Sequence, residues 1–142
     1  MEFDQDQITE VYLLALCNWR EAQNQSLAAK VAQAWTIRNR VLNPSWWGRG
    51  WVLVVTKPAQ FSSFNSTDPN SRKWPQPNDA AWADCWTVAS EVYKGTIPDP
   101  TFGATHYFDA SLDANPPKWA TDGSMEKTME MDRFRFYKLV PK

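Results

Sequence analysis

Apolar positions along the first part of the chain recur at the three-to-four-residue spacing of helices. Residues 6–23 predict one helix, with Leu13, Leu14, Cys17 and Asn18 on a single face and Asp4 or Asp6 placed to cap it. Gln23, Asn24 and Gln25 break that pattern. Ser26 then caps a predicted second helix over 27–42, which carries Leu27, Val31, Ala34, Trp35 and Val41 on its apolar side and ends at Asn43-Pro44. A third helix is expected over 79–94, starting at Asn78 or Asp79 and stopping at Gly95. Its apolar arc is wide (Ala81, Trp82, Cys85, Trp86, Val88, Ala89, Val92 and Tyr93), which predicts a central position.

Between these segments the pattern is weaker. Trp51–Val55 fits either a short strand or a buried turn, because a short apolar run has no decisive period. Residues 56–78 predict a long loop, anchored by Phe61, Phe64 and Trp74. Ala104–Phe108 and Asp132–Lys138 predict strands, the second alternating Phe134 and Phe136 with Arg133, Arg135 and Tyr137. The expected fold class is α+β: a mainly helical single domain over 1–142, about three helices with a small antiparallel sheet or hairpin near the C-terminus.

Composition narrows the partners. Fifteen Lys and Arg against sixteen Asp and Glu leave a net charge of −1, which offers no general field for nucleic acid or an anionic bilayer. The longest apolar run, Val11–Cys17, falls far short of the ~20 residues that span a membrane, so no stable membrane insertion is expected. Glu2, Asp4, Asp6 and Glu10 precede the first cation, Arg20, which is not the pattern of a secretory signal; synthesis in the cytoplasm is expected. One His and two Cys are too few for a His/Cys zinc site, and neither metal nor cofactor is expected. Nine Trp, seven Phe and four Tyr are an unusual load. Such rings fill cores, but they also stack on the apolar faces of sugars, and without basic excess sugar is the better reading than nucleic acid.

Two groups stand out for chemistry. Glu21 follows Asn18, Cys17, Leu14 and Leu13 at helical spacing, so it shares the largely buried face. It also lies in the last turn, where the helix dipole disfavours a carboxylate. Desolvation and the dipole both favour the protonated form, as a general acid requires. The opposing reading is a solvated Glu at a frayed helix end. His106, the single imidazole, would pair with Cys17 or Cys85 in a Cys–His dyad, yet both cysteines fall on apolar helical faces where a small buried thiol is the ordinary explanation. No Gly-rich phosphate loop, HExxH or G-x-S-x-G string occurs.

Several strings taken together resemble one family. Trp19-Arg20-Glu21-Ala22 and the run Val31–Val41 (VAQAWTIRNRV) are similar to the G-E-A-R-G-E helix end and V-A-x-V-I-x-N-R-V helix of the SleB/CwlJ-like cell-wall hydrolases. Val54–Phe61 (VVTKPAQF) with Ser62, Gly103–Phe108 (GATHYF), Trp119 and Arg135-Phe136-Tyr137 resemble its later motifs in the same order. The resemblance spans residues 10–138 and implies a SleB-like, lysozyme-like fold and a peptidoglycan-cleaving catalytic domain without a separate wall-binding domain. By the same resemblance Glu21 is the catalytic acid, and the expected substrate-binding residues are Gln60, Phe61, Ser62, Thr105, His106, Tyr107 and Trp119. The chain departs from the pattern at Arg20, Gln23, Asn24 and Gln25, which removes a second carboxylate, and at Phe134, where the family commonly has His.

A single Glu suits a lytic transglycosylase, in which the muramoyl 6-hydroxyl attacks its own anomeric carbon, better than a hydrolase that needs a second acidic group. Asp68 and Asp109 remain the possible second carboxylates for a muramidase. The expected partner is the peptidoglycan glycan strand, met by a monomer after release as a phage-type endolysin. A non-catalytic glycan-binding or phage structural protein is the third reading.

Overall fold

The computed structural model describes residues 3–57, 61, 64–65 and 67–141. Among them are five α-helices and one three-stranded antiparallel sheet. Helix α1 spans Gln5–Ala22 and starts in a capping box: the Asp4 carboxylate accepts from the Gln7 amide at 2.8 Å, and the Gln7 side chain accepts from Asp4 N at 3.0 Å. Helix α2, Leu27–Leu42, is capped by Ser26, whose hydroxyl accepts from Ala29 N. These boundaries lie within a residue of those expected, because caps are local chemistry.

Helix α3, Gly50–Thr56, corrects the reading of Trp51–Val55 as strand or turn. Val54 and Val55 are fully buried while Val52 and Leu53 face solvent. With Trp51 packed on Tyr93 (ring centroids 4.9 Å apart), the inward positions fall at i, i+3 and i+4. Packing overrides the β preference of the valines here. The loop that follows is also less irregular than expected, since Pro69–Arg72 form a 3-10 turn.

Helix α4, Ala80–Lys94, is capped by Asp79 and closed by Gly95 at φ 78°. A side chain at Gly95 would meet both the left-handed backbone and Arg38, whose Nη2 lies 3.0 Å from the position of a Cβ. Arg38 is there to donate to the carbonyls of Val92 and Tyr93 at the helix end. The expectation that this helix is central is not met. Only the stripe Cys85, Val88, Ala89 and Val92 is buried, and Trp82 and Trp86 remain partly exposed. Helix α1 is central instead: every residue from Leu14 to Arg20 is buried, enclosed by α2, α3 and α4.

The sheet runs β1 (His106–Asp109), β3 (Phe134–Leu139), β2 (Met125–Met131). A short helix α5, Lys118–Thr121, precedes β2. Strand β2 escapes the hydrophobic pattern because its sequence, MEKTMEM, mixes three charged residues with unbranched methionines and has a single β-branched residue, Thr128. As an edge strand it takes its register from β3. The β1–β3 register pairs Tyr107 with Phe136 and His106 with Tyr137, so these pairs lie on opposite faces of the sheet. Phe134, Phe136 and Tyr107 pack toward Ala22, Ala29 and Ala32 of the helices.

Candidate active site

Glu21 lies at the last turn of α1, half-buried, on the wall of a polar cleft of about 310 Å³. Arg20 borders it on the same helix. The amides of Gln23, Asn24 and Gln25 come from the following turn, Lys73 from the long loop, Asp109 from the end of β1 and Arg133 from the β2–β3 hairpin.

Local bonds hold each wall. The buried Lys30 ammonium donates to the carbonyls of Gln23 (3.2 Å) and Gln25 (2.6 Å), fixing the turn after Glu21. That turn is stitched to the hairpin: the Gln25 side chain accepts from Arg133 N, and the Asp132 carboxylate accepts from Ser26 N. The long loop is clamped by Arg20, whose guanidinium lies 4.9 Å from the Phe64 ring and 5.0 Å from the Trp74 ring while donating to Lys73 O and Ser71 O.

Beneath Glu21 runs a buried polar chain. Tyr107 donates its hydroxyl to Glu21 Oε1 at 2.7 Å, and the same hydroxyl accepts from Gln33 Nε2 at 3.2 Å. Gln33 Oε1 accepts from Asn18 Nδ2 at 2.7 Å, and Asn18 also donates to Lys30 O. Burial first, then the charge of Glu21, raises Tyr107 well above the usual tyrosine range, so it stays a protonated donor.

Asp109 is the other carboxylate among the described residues lining this cleft. Arg133 donates to both of its oxygens, at 3.1 and 2.7 Å, and Ser111 N adds a third bond. The Arg133 hydrogen bonds, first among several causes, pull Asp109 down to about 2.

Residues 24–137 match the family model described as Cell Wall Hydrolase. The chain belongs to this cell wall hydrolase family. No curated protein sequence matches it. In fold it is similar to the catalytic domain of the Bacillus cereus SleB protein, with TM-score 0.69 and 22% identity over 91% of this chain and 89% of that one. It is equally similar to the catalytic domain of a germination-specific lytic transglycosylase, SleB from Bacillus anthracis, with TM-score 0.69 and 21% identity over 96% and 98%. The family match begins at Asn24, so Glu21 stands just outside it.

The strings that carry the family likeness largely build the frame around the cleft. Asn39 donates to Ala104 O and to Asp99, which in turn holds Thr101 and Gly103 N. Arg40 donates to Thr105 O at 2.5 Å and lies over the Phe61 ring at 4.9 Å. Burial lowers Arg40 to about 10, which leaves it charged at neutral pH.

The described residues among those expected to bind substrate do not gather in one place. Tyr107 joins Glu21. Gln60 and Ser62 lie outside the described residues. Phe61 is a closed core ring beneath Arg40, and Thr105 is buried with its carbonyl on the same guanidinium. His106 and Trp119 lie on the opposite sheet face from Tyr107, with ring centroids 5.2 Å apart. Trp119 and Trp46 border a second groove of about 760 Å³ there. Trp46 is 55% exposed, whereas its neighbour Trp47 is a core residue.

The Cys–His alternative has no support in the geometry. Cys17 is fully buried, takes a bond from Gln33 at 3.7 Å and is raised well above an ordinary thiol, chiefly by burial. Cys85 packs with Leu16 and Trp19, and burial pushes it up to about 12. His106 is lowered to about 3 by burial first and by Arg40 second. Among the described residues no cluster of three His, Cys, Asp or Glu is placed to hold a metal ion. No described helix is long and apolar enough to cross a membrane.

Proposed function

We propose that the chain cuts peptidoglycan glycan strands between N-acetylmuramic acid and N-acetylglucosamine, with Glu21 as the single acid and base of a lytic transglycosylase. Membership in the cell wall hydrolase family supports the substrate class. One contrast in the cleft carries the mechanism. Glu21 is held by a neutral hydroxyl, whereas Asp109 is bound on both oxygens by Arg133 and drawn to about 2. A carboxylate with so low a proton affinity is a poor general base for water.

In this reading Glu21 gives its proton to the glycosidic oxygen as the bond to the muramoyl C1 breaks. The C6 hydroxyl oxygen of the same sugar then bonds to C1, and its proton returns to Glu21. The acid is regenerated and no water is consumed. Because the attack is intramolecular, holding the sugar in place substitutes for activating a nucleophile. The amides of Gln23, Asn24 and Gln25 supply donors and acceptors for sugar hydroxyls and N-acetyl groups, with Gln60 and Ser62 as further proposed contacts. Thr105, His106 and Trp119 shape the framework behind β1. Phage-type endolysin action follows from the same reading, and outer-membrane-permeabilised cells should lose turbidity when the protein is added.

Product ends test the mechanism. Purified peptidoglycan should yield fragments with 1,6-anhydro-muramoyl ends, one water lighter than hydrolytic ends and inert to borohydride. Mostly reducible muramic ends would replace this reading with a muramidase that uses Asp109 or Asp68. Freed stem peptides on intact glycan would exclude both.

A further inference from the structure

The polar chain beneath Glu21 has a fixed direction. Lys30 O can only accept, so the Asn18 atom 2.9 Å from it is the amide nitrogen. The same nitrogen lies 2.7 Å from Gln33, which must therefore present its oxygen there. The Gln33 nitrogen is thus committed to the other side, where it donates to Tyr107 at 3.2 Å and to Cys17 at 3.7 Å. An amide nitrogen cannot accept, so the Tyr107 oxygen takes that bond and its own hydrogen points to Glu21. Reversing Asn18 would set its oxygen against the oxygens of Lys30 and Gln33, and reversing Gln33 would set its nitrogen against that of Asn18, each between buried groups, since Asn18 and Gln33 are both fully enclosed. The direction is enforced strongly enough that Asn18 Oδ1 is left without a partner among the described residues.

We propose that Gln33 is a positioning residue for proton transfer: through Tyr107 it keeps a permanent donor on Glu21 Oε1, so that the transferable proton resides on Oε2. The inference rests on Glu21 being the acid. It assigns Tyr107 two effects. The hydroxyl holds the carboxylate plane relative to the cleft, and it stabilises the ionised form left after proton delivery. Asn18 acts one step further back by orienting Gln33.

The test is the pH dependence of glycan cleavage on purified peptidoglycan, in wild type, Tyr107→Phe, Gln33→Met and the double variant. A general acid works while protonated, so activity falls on the alkaline side as Glu21 ionises. Removing a donor to the carboxylate makes ionisation harder, and the alkaline limb should move upward by about one pH unit in Tyr107→Phe. The maximal rate should drop roughly tenfold or more. Gln33→Met frees the tyrosine proton to turn away and should shift the limb the same way by a smaller amount. The double variant should be no worse than Tyr107→Phe alone, since Gln33 acts through that hydroxyl. Among the described residues, the other charged or titratable groups around this chain, namely Arg20, Lys73, Asp109 and Arg133 in the cleft and Cys17 and Arg40 behind Tyr107, are present in every variant.

Tyr107→Phe keeps the ring packed on Phe134 and Phe136, so it carries the test even where Gln33→Met does not fold. An unmoved alkaline limb in folded Tyr107→Phe would overturn the proposal. So would losses from the two single variants that multiply in the double variant. Glu21→Gln in the same assay separates the two claims: activity surviving there removes the acid itself, whatever Gln33 does.

Discussion

Glu21 and Asp109 are both carboxylates on one cleft, and their neighbours differ. Arg133 pins Asp109 in the ionised state, while Glu21 meets a hydroxyl whose own proton is held by burial. Replacing Glu21 with Gln preserves volume and can still accept from Tyr107, but it has no proton of comparable acidity to transfer. We expect glycan cleavage to fall by ~10²–10⁴-fold while the thermal midpoint stays close to wild type, measured by muropeptide release and by circular dichroism. Retention of more than about a tenth of the rate would show that Glu21 is not the acid. The sequence pointed to Glu21 through its spacing and the family strings and put Asn18 on the same face, but it gave no sign that Gln33 links Asn18 to Tyr107 beneath the carboxylate. A Gln on an apolar helical face reads as an ordinary interior position until a hydroxyl is found 3.2 Å away.

Among the elements, the caps were legible and the packing order was not. Ser26 and Gly95 act at the helix ends where they were expected, and of the paired alternatives Asp4 and Asp79 proved to be the caps. Asp79 has a second task, since its Oδ2 accepts from the Trp19 indole of α1 at 3.2 Å and so ties the start of α4 to the central helix. Asp79→Ala removes both bonds. It should cost about 1–3 kcal/mol in urea unfolding, whereas Asp79→Asn, which keeps an acceptor at the cap, should lose less. The apolar arc of α4 overstates its enclosure, because its aromatic residues widen the arc without being enclosed. Trp82 and Trp86 remain partly exposed, while the narrow stripe beneath them meets α1 and α2.

At the scale of the whole molecule, the far side of the sheet couples stability to pH. His106 sits among Trp46, Trp47 and Trp119 and is lowered from 6.5 to about 3, with burial the main cause. Between those values the unfolded chain holds a proton that the folded one does not, so acid favours unfolding. The contribution is fully present above the unfolded value near 6.5 and is lost as the pH falls toward 3. The thermal midpoint should therefore decline between pH 7 and pH 5, before most carboxylates titrate, and His106→Gln should flatten that decline. An equal slope in the variant would mean that His106 is not the group responsible.

The sequence by itself determined the three long helices with their Ser26 and Gly95 caps, the strand of alternating aromatics at Phe134–Tyr137, the α+β class and the family, and it singled out Glu21 as a candidate acid. These follow from interactions within a few positions of one another, or from strings that survive as strings. Only the tertiary structure decided that α1 is the enclosed helix, that Trp51–Val55 coil into α3 and that the mixed segment MEKTMEM pairs as β2. It alone also divided the GATHYF string between two faces of a sheet, sending Tyr107 to Glu21 and His106 to Trp119. The reason is physical: strand alternation fixes that neighbouring residues part company, but which face meets the cleft depends on contacts from residues far apart in the chain.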